Sequence, residues 1–231
     1  MPGPVLLITG ATSGIGKEVA SFAARSGYRL GLAGRDEGAL AHLVDEFGSD
    51  SAVAVPCDVT LWKDVERFVQ TVKSRFGAID AVFANAGIGA PRGLLSSDHR
   101  AWPALIETNV LGVAYTLRAA VPYVCETPRG HVVLMGSVAG RWITPGSLYA
   151  ATKAAVAALA DALRQELRDL GDQSTRVTLI EAGWVSTRLL LDERLGAMPP
   201  AEIAQAVLYA LERPAGVDIN QITVRPTTQR E

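Results

Sequence analysis

The chain has 231 residues, of which 48% are apolar, so it is long enough to bury one sizeable core and does not require a second domain. Its formal charge of −2 provides no basic surface for nucleic acid or an anionic membrane, and we expect a small-molecule ligand. The opening sequence MPGPVLLITG has no basic leader, and its apolar run is too short for a signal segment or a membrane span, so we expect a cytoplasmic protein.

Short β-rich runs alternate with longer segments of helical periodicity. The sequence predicts strands over residues 5–9, 29–34, 52–56, 80–84, 131–136, 176–181 and 220–224. It predicts helices near residues 15–26, 37–47, 61–75, 102–124, 148–170 and 200–212. This alternation indicates an α/β protein in which residues 1–231 form a single-domain, Rossmann-like, doubly wound parallel sheet of about seven strands with helices on both faces. Ligands bind such sheets outside the carboxyl ends of the strands, so the loops after strands one, two, four, five and six should form the site.

A glycine-rich turn, TGATSGIG, follows the first strand and contains Gly10, Gly14 and Gly16. Glycines allow a ligand to approach the backbone closely, and a helix N-terminus offers free N–H groups to a pyrophosphate. The turn therefore predicts a nucleotide site, although its spacing is not GxGxxG and such turns also occur for steric reasons alone.

The end of the second strand bears on which nucleotide is bound. An acidic residue there would hold a ribose 2′-hydroxyl, whereas an arginine would hold a 2′-phosphate. Gly34 and Arg35 occupy this place, and Asp36 is well placed to cap the following helix. After the third strand, Asp58 could accept a hydrogen bond from an adenine amine, or Asp58 or Thr60 could cap the next helix.

Tyr149 and Lys153 are four residues apart in the alanine-rich run SLYAATKAAV. Residues at this spacing lie on the same side of a helix, so the ammonium is expected to favour the phenolate and to lower the pKa of Tyr149. The pair would then serve as a proton donor and acceptor for a carbonyl or an alcohol. The alternative is a tyrosine and a lysine on a solvated helix face.

Six motifs together resemble the compact, single-domain branch of the short-chain dehydrogenase/reductase family, over almost the whole chain. They are TGATSGIG, CDV, NAG (85–87), TNVLG (108–112), MGSVAG (135–140) and YAATK (149–153). The resemblance implies a catalytic set of Asn109, Ser137, Tyr149 and Lys153. It implies that Ser137 donates a hydrogen bond to the reacting oxygen and that Asn109 perturbs its helix and links Lys153 to a water relay. A turn cap for Ser137 and a satisfied buried amide for Asn109 are the alternatives.

The resemblance also implies a nicotinamide cofactor, with NADP(H) preferred and NAD(H) possible. The implied cofactor-binding residues are Gly10, Thr12, Ser13, Gly14, Ile15, Gly16, Arg35, Asp58, Val59, Asn85, Ala86, Gly87, Tyr149, Lys153, Gly183, Val185 and Thr187. The C-terminal stretch is similar to a branch that acts on 3-hydroxy acids, serine-like alcohols or small aldehydes with NADP. The family generally forms dimers and tetramers, and Ala154, Ala158 and Ala162 would allow helices to approach closely.

Two features depart from the family pattern. Ala182 stands where the family has a proline before Gly183, which puts the turn near the nicotinamide in doubt. The segment between Thr187 and Pro199 is shorter than the substrate-covering loop of most relatives, so we expect a partly open pocket and broad specificity.

The substrate side of the site has several candidates. Trp142, Ile143, Trp184, Leu189 and Leu190 could line an apolar pocket, or could pack in the core or an interface. A substrate carboxylate could meet one of three arginines, or these could be solvated on the surface: Arg92, Arg141 and Arg188. The three histidines are scattered, so we expect no metal, and Cys57 and Cys125 are expected to be buried free thiols of a reducing compartment.

The sequence thus predicts an NADP-dependent oxidoreductase that interconverts an alcohol and a carbonyl on a small molecule, as a homodimer or homotetramer. A binding protein that senses redox state without turnover is one alternative. An epimerase or dehydratase of the longer related type is another, but it needs a substrate domain for which 231 residues leave no room.

Overall fold

A computed structural model of the protein describes residues 2–142, 146–190 and 196–230. These residues form seven strands in a single sheet. The strands are β1 (Val5–Thr9), β2 (Arg29–Gly34), β3 (Ala52–Pro56), β4 (Ala81–Ala84), β5 (His131–Met135), β6 (Arg176–Ala182) and β7 (Gln221–Val224). All neighbouring strands are parallel, in the order β3-β2-β1-β4-β5-β6-β7. The predicted fold class is confirmed.

Helices connect the strands on both faces of the sheet. They are α1 (Gly14–Arg25), α2 (Glu37–Phe47), α3 (Trp62–Phe76), α4 (Trp102–Ile106), α5 (Gly112–Val124), α6 (Leu148–Asp169) and α7 (Pro200–Leu211). The helix predicted over 102–124 is interrupted, because a π-helical turn, Glu107–Leu111, separates α4 from α5. Short 3-10 turns lie at His99–Ala101 and Val138–Gly140.

The sheet separates two apolar cores. Along β1, Leu7 packs into the core under α3, α5 and α6, while Leu6 and Ile8 pack into the core under α1, α2 and α7. This alternation explains why the strand is apolar at every position, since successive side chains point to opposite faces and both faces are covered.

The strand order determines where on the sheet a ligand can bind. The chain runs outward from β1 through β2 to β3, then returns to the other side of β1 with β4. The loops after β1 and β4 therefore part in opposite directions and leave a crevice at the carboxyl edge of the sheet. Residues predicted to bind a ligand surround this crevice.

Two further features concern the cysteines and the length of the helices. Cys57 and Cys125 are free thiols as predicted, but Cys125 is only half-buried because it lies at the end of α5. None of the helices within the described residues is long and apolar enough to cross a membrane.

Candidate active site

The glycine-rich turn after β1 forms one wall of the crevice. Gly10 and Gly14 have φ of 67° and 54°, a region that favours glycine, and α1 begins at Gly14. A Cβ on Gly10 would lie 3.0 Å from the Ala86 Cα, and one on Gly14 would lie 3.2 Å from the Thr187 Cγ2. The turn thus presents bare backbone and the first N–H groups of α1 to the crevice, which fits the pyrophosphate of a dinucleotide.

Gly16 is an exception among the predicted cofactor residues. It is buried in the first turn of α1 and does not line the crevice, and a Cβ there would lie 2.2 Å from the Gly10 carbonyl oxygen. The structure thus shows a packing position for Gly16, and its contact with the cofactor stays a prediction. Its place is fixed by the close packing of α1 against the turn.

Asn85, after β4, holds the glycine turn in place. Its Nδ2 donates to the carbonyl oxygens of Thr9 and Gly10 at 3.0 and 3.3 Å. The hydroxyl of Thr9 accepts from the backbone N–H groups of Asn85 and Ala86 at 3.0 and 3.1 Å. Asn85 is thus a structural clamp between β1 and β4 that also lines the crevice.

Arg35 lies at the far end of the crevice, after β2. Its side chain is exposed and makes no hydrogen bond or ion pair within the described residues. Asp36 is occupied as a helix cap, because its Oδ1 accepts from the Ala39 N–H at 2.9 Å. A Cβ on Gly34 would lie 2.6 Å from the Thr12 Cγ2, so Gly34 lets the turns after β1 and β2 approach each other.

Asp58 lines the crevice and does not cap a helix, because α3 has Leu61 as its N-cap with no side-chain hydrogen bond. Its Oδ1 accepts from the backbone N–H and the hydroxyl of Thr60 at 3.0 and 2.8 Å. Its own N–H donates to the Asp64 Oδ2 at 3.1 Å. The carboxylate is thus oriented by its own loop, with Val59 beside it on the crevice wall.

Ser137 follows β5 and faces Tyr149. Its hydroxyl accepts from the Ala139 N–H at 3.2 Å, which makes it the predicted turn cap, and donates to the Ala182 carbonyl oxygen at 3.3 Å. It is also hydrogen-bonded to Tyr149. The predicted pair of hydroxyls is therefore assembled, since Ser137 from β5 and Tyr149 from α6 meet in the crevice.

The electrostatics of Tyr149 differ from the expectation. Burial raises the pKa of Tyr149 to about 12, and the hydrogen bond with Ser137 offsets only part of that rise. Lys153 lies under the phenol, with its Nζ 5.8 Å from the ring centroid and donating to the Met135 carbonyl oxygen at 2.8 Å. Burial lowers the pKa of Lys153 to about 8. The pKa of Tyr149 is therefore raised and not lowered as predicted, because desolvation by burial is its largest cause and the hydrogen bond with Ser137 opposes it only in part.

Asn109 lies in the middle of the π turn. Its side chain is fully buried, and its Oδ1 accepts from the Ile88 N–H at 2.8 Å. Its Nδ2 donates to the Ile88 carbonyl oxygen at 2.9 Å and to the Thr152 hydroxyl at 3.1 Å. The predicted perturbation of the helix is present, and so is the alternative of a satisfied buried amide. Asn109 does not line the crevice but braces the loop after β4 against the helix that carries Tyr149.

The turn after β6 closes the crevice. β6 extends to Ala182, one residue beyond its predicted end, and Ala182 pairs with Val224. Val185 and Met198 form an isolated parallel bridge, with Ser186 N–H donating to the Met198 carbonyl oxygen at 2.8 Å. These contacts join the described residues on either side of the segment that begins at Thr187. Ile143 and residues 191–195 lie outside the described residues.

The C-terminal segment after β7 adds a wall that the sequence analysis missed. The Gln229 Oε1 accepts from the Trp184 N–H at 2.8 Å. Arg225 packs across Gly183, where a Cβ would lie 2.6 Å from the Arg225 Cβ. The parallel order of β6 and β7 was a usable signal, because the residues after β7 must emerge at the same edge as the other loops.

Together these loops line a cleft of about 1660 Å³, larger than the usual 300–1000 Å³ of a small-ligand pocket and suited to a dinucleotide with a substrate. The predicted residues that line it are Gly10, Thr12, Ser13, Gly14, Ile15, Arg35, Asp58, Val59, Asn85, Ala86, Gly87, Ser137, Tyr149, Lys153, Gly183, Val185 and Thr187. The predicted substrate-side residues that line it are Arg92, Trp142, Trp184, Arg188, Leu189 and Leu190.

Arg141 does not line the cleft, because its Nε pairs with the buried carboxylate of Glu181 at 3.3 Å. Within residues 2–142, 146–190 and 196–230, no three His, Cys, Asp or Glu side chains gather as a metal site would require.

A glycine turn at the sheet crossover, facing a half-buried serine and tyrosine and a buried lysine, defines a dinucleotide-binding oxidoreductase. A family model described as short chain dehydrogenase matches residues 4–196. An uncharacterized oxidoreductase of Staphylococcus saprophyticus is 37% identical over 229 residues, covering 96% of this chain and 97% of the relative. The chain therefore belongs to the short-chain dehydrogenase family.

Solved structures share the whole fold. A serine dehydrogenase in a closed form complexed with NADP+ is 29% identical, with a TM-score of 0.89, and the match covers 98% of this chain and 96% of that one. A 3-ketoacyl-(acyl-carrier-protein) reductase from Brucella melitensis complexed with NADH is 27% identical, with a TM-score of 0.87, covering 96% of this chain and 97% of that one. These similarities support a nicotinamide cofactor in the cleft.

Proposed function

We propose that the protein interconverts an alcohol and a carbonyl on a small molecule, with NADP(H) as the preferred cofactor. The observation that carries the proposal is the meeting of the Ser137 and Tyr149 hydroxyls above Lys153 in the cleft that the glycine turn opens into. The serine dehydrogenase and the ketoacyl reductase described above are both named for reactions at a carbinol or a carbonyl carbon.

The bound nicotinamide would supply or accept a hydride. In this proposal the turn from Gly10 to Ile15 holds its pyrophosphate, and three residues that line the cleft contact the rest of the cofactor: Asn85, Lys153 and Thr187. The chain's own task at the reacting centre is to handle a proton and a developing charge.

Tyr149 carries out the proton transfer in this proposal. Its pKa of about 12 keeps the phenol protonated at neutral pH, so its Oη can donate a proton to a carbonyl oxygen that becomes an alcohol. Ser137 donates a hydrogen bond to the same oxygen while negative charge develops there. Lys153 supports the loss of the proton, since a positive charge beside the phenol stabilises the phenolate.

A substrate panel tests the activity directly. Purified protein is mixed with NADPH and a series of aldehydes and ketones, or with NADP+ and the corresponding alcohols and 3-hydroxy acids, while nicotinamide absorbance is followed. Turnover of at least one pair in both directions is expected. Cofactor binding without turnover of any pair would favour the redox-sensing alternative.

The preference for NADP(H) rests on the end of β2. A 2′-phosphate carries up to two negative charges and suits the planar, multi-donor guanidinium of Arg35. The carboxylate that NAD-dependent sites place at this strand end is replaced by Gly34, and Asp36 is engaged as a helix cap.

Arg35→Ala is expected to weaken NADPH binding by about 1.5–3 kcal/mol, because a hydrogen-bonded ion pair with the phosphate is lost, and to leave NADH almost untouched. The dissociation constants are measured from NADPH and NADH fluorescence. The exposed Arg129, which does not line the cleft, provides a matched control as Arg129→Ala. Equal losses for both cofactors, or a wild-type preference for NADH, would refute the role of Arg35.

We also propose a homodimer or homotetramer that works in the cytoplasm without a nucleic-acid or membrane partner. Ala158 and Ala162 are exposed on α6 and Ala154 is half-buried, so this face can accept a second helix closely. Free thiols at Cys57 and Cys125 are in keeping with a reducing compartment.

A further inference from the structure

Glu181 is a buried carboxylate that the proposed chemistry does not use. It lies on β6, and its side chain is only 4% exposed. Its Oε2 accepts hydrogen bonds from the Thr223 hydroxyl at 2.8 Å and from the Gln221 Nε2, both on β7. The same oxygen forms an ion pair with the Arg141 Nε at 3.3 Å. Since burying a carboxylate costs free energy, these partners offset that cost and tie Arg141 to the β6–β7 pair.

Glu181 lies between two backbone groups that hold the chain around Ser137. The Ile180 carbonyl oxygen accepts from the Gly136 N–H at 2.7 Å. The Ala182 carbonyl oxygen accepts from the Ser137 hydroxyl at 3.3 Å. Three consecutive residues of β6 therefore contact one segment after β5, and Glu181 is the one that holds the far end of that segment.

Ser137 and Arg141 are the two ends of one tight turn. The Ser137 carbonyl oxygen accepts from the Gly140 N–H at 2.9 Å, and the Arg141 N–H donates to the Val138 carbonyl oxygen at 3.0 Å. The Ser137 hydroxyl accepts from the Ala139 N–H at 3.2 Å. Because these bonds close the turn along its whole length, we expect a displacement of Arg141 to move Ser137 as well.

The other side of this turn is packed against α6. A Cβ on Gly140 would lie 2.6 Å from the Lys153 carbonyl carbon and 2.8 Å from the Ala154 nitrogen. The backbones of the turn and of α6 are thus in direct contact, one helical turn after Tyr149. The turn is held between α6 and the ion pair, so both contacts determine where Ser137 lies relative to Tyr149.

The proton of the Ser137 hydroxyl has more than one use. In the structure the hydroxyl donates to the Ala182 carbonyl oxygen over a long 3.3 Å and is also hydrogen-bonded to Tyr149. To stabilise charge on the reacting oxygen, the hydroxyl must rotate and donate to that oxygen. A fixed backbone keeps the distance to the substrate constant during this rotation. A misplacement of about 1 Å can cost about 10²-fold in rate.

We propose that Glu181 and Arg141 are positioning residues for Ser137, and that their ion pair holds the turn so that the serine hydroxyl faces the reacting oxygen. The proposal rests on the alcohol–carbonyl activity proposed above. Neither Glu181 nor Arg141 lines the cleft, so both act through the turn and not on the substrate.

Glu181→Met releases the turn without leaving a buried charge. Methionine is of similar length, and the Gln221 and Thr223 side chains that lose their acceptor are exposed to water. Replacing a buried ionic group by an apolar side chain often leaves stability unchanged. With the best substrate of the panel, kcat should fall by about 10- to 100-fold because Ser137 is misplaced. The NADPH dissociation constant should stay at the wild-type value.

A double variant distinguishes positioning from a general loosening of the site. Ser137→Ala alone should lower kcat by about 10²–10³-fold, the effect of losing one donor to the developing charge. In the Ser137→Ala background, Glu181→Met should lower kcat no further, since the group through which Glu181 acts is gone. Losses that multiply in the double variant would overturn the proposal, and so would a wild-type kcat in Glu181→Met.

Glu126→Gln is the matched control, because it breaks an ion pair with the Lys73 Nζ at 2.6 Å outside the cleft. It should leave kcat unchanged. Melting temperatures report whether each variant folds. If Glu181→Met does not fold, Arg141→Lys and Arg141→Gln decide. Lysine keeps the charge opposite Glu181, so Arg141→Lys should have the higher kcat of the two, and equal values would contradict the proposal.

The hydrogen bond between Ser137 and Tyr149 allows a measurement that needs no turnover. The five tyrosines are labelled with ¹³C at Cζ, and Tyr149→Phe identifies the NMR signal of Tyr149. Ser137→Ala should shift this signal, because the phenol loses a hydrogen-bond partner. Glu181→Met should shift it in the same direction, with no further shift in the double variant. If no substrate turns over but the signal shifts in this way, the proposed activity is wrong and the positioning stands. An unchanged signal in Glu181→Met would overturn the positioning.

Discussion

Tyr149→Phe is expected to lower kcat by about 10²–10⁴-fold while the protein still folds and binds NADPH. The change removes one oxygen, the only group in the cleft to which the proposed chemistry assigns proton transfer. The ring remains in place on α6, so Lys153 keeps its hydrogen bond to the Met135 carbonyl oxygen. Turnover is measured with the best substrate of the panel, and NADPH binding is measured by fluorescence.

Tyr209→Phe is the matched control, because Tyr209 is an exposed tyrosine on α7 outside the cleft. It should change kcat by less than a factor of two. If Tyr149→Phe kept kcat within a few-fold of wild type, Tyr149 would not be the acid and base. If it also lost NADPH binding, the phenol would act mainly through the cofactor.

Acid is expected to destabilise the protein at a pH well above that at which its carboxylates are protonated. Burial lowers the pKa of His131 to about 3, and the charge of Arg176 acts in the same direction. In the unfolded chain the pKa of a histidine is about 6.5. Between these values the unfolded state binds more protons, so the free energy of unfolding falls as pH falls. From pH 6.5 to 4.5 the loss from His131 should be about 2–3 kcal/mol.

The hydrogen bonds around His131 explain why protonation is so unfavourable. The Thr178 hydroxyl donates to the Ile219 carbonyl oxygen at 2.6 Å, so it accepts from the His131 Nε2 at 2.8 Å. The proton of the neutral ring is therefore on Nε2. A second proton would sit on Nδ1, a buried atom with no hydrogen-bond partner in the described part of the chain, and the charge of Arg176 would oppose it.

Urea unfolding of wild type and His131→Gln between pH 7 and 4.5 measures this effect. The glutamine amide can still donate to Thr178 but does not titrate, so the variant should lose less stability over this range. His42→Gln, at an exposed site on α2, should retain the wild-type slope. Asp172 contributes little to the change in stability between pH 7 and 4.5. Hydrogen bonds lower its pKa in the folded protein, and its pKa in the unfolded chain, about 3.9, also lies below this pH range. An identical slope in His131→Gln would show that His131 is not responsible.

The sheet was predictable from sequence because its strands are buried on both faces and separated by amphipathic helices. The bounds of β1, β2 and β3 agree with prediction, and the others differ by one residue at an end. The glycine turn and the pairing of Tyr149 with Lys153 depend on local spacing, which the sequence displays directly. These parts of the site were therefore predictable without coordinates.

Other parts of the site depend on contacts between distant segments. Arg225 lies 83 residues beyond Trp142, and only the pairing of β7 with β6 brings the two together. The raised pKa of Tyr149 is also a property of the folded cleft, since the sequence reveals the nearby lysine but not the depth of burial. Local spacing likewise suggested a cofactor contact for Gly16, where the structure shows packing against Gly10.

The π turn at Glu107–Leu111 positions Asn109, whereas the face that the helix buries in the core does not require such a turn. Leu105 before the turn and Leu117 after it are both buried, although twelve residues of regular α-helix at about 100° each would rotate them about 120° apart. The π turn absorbs one extra residue and restores the phase. With a single codon deleted, eleven residues would leave the two leucines about 20° apart on an unbroken helix. Deletion of one residue would therefore remove the π turn that positions Asn109 and still leave Leu105 and Leu117 facing the core.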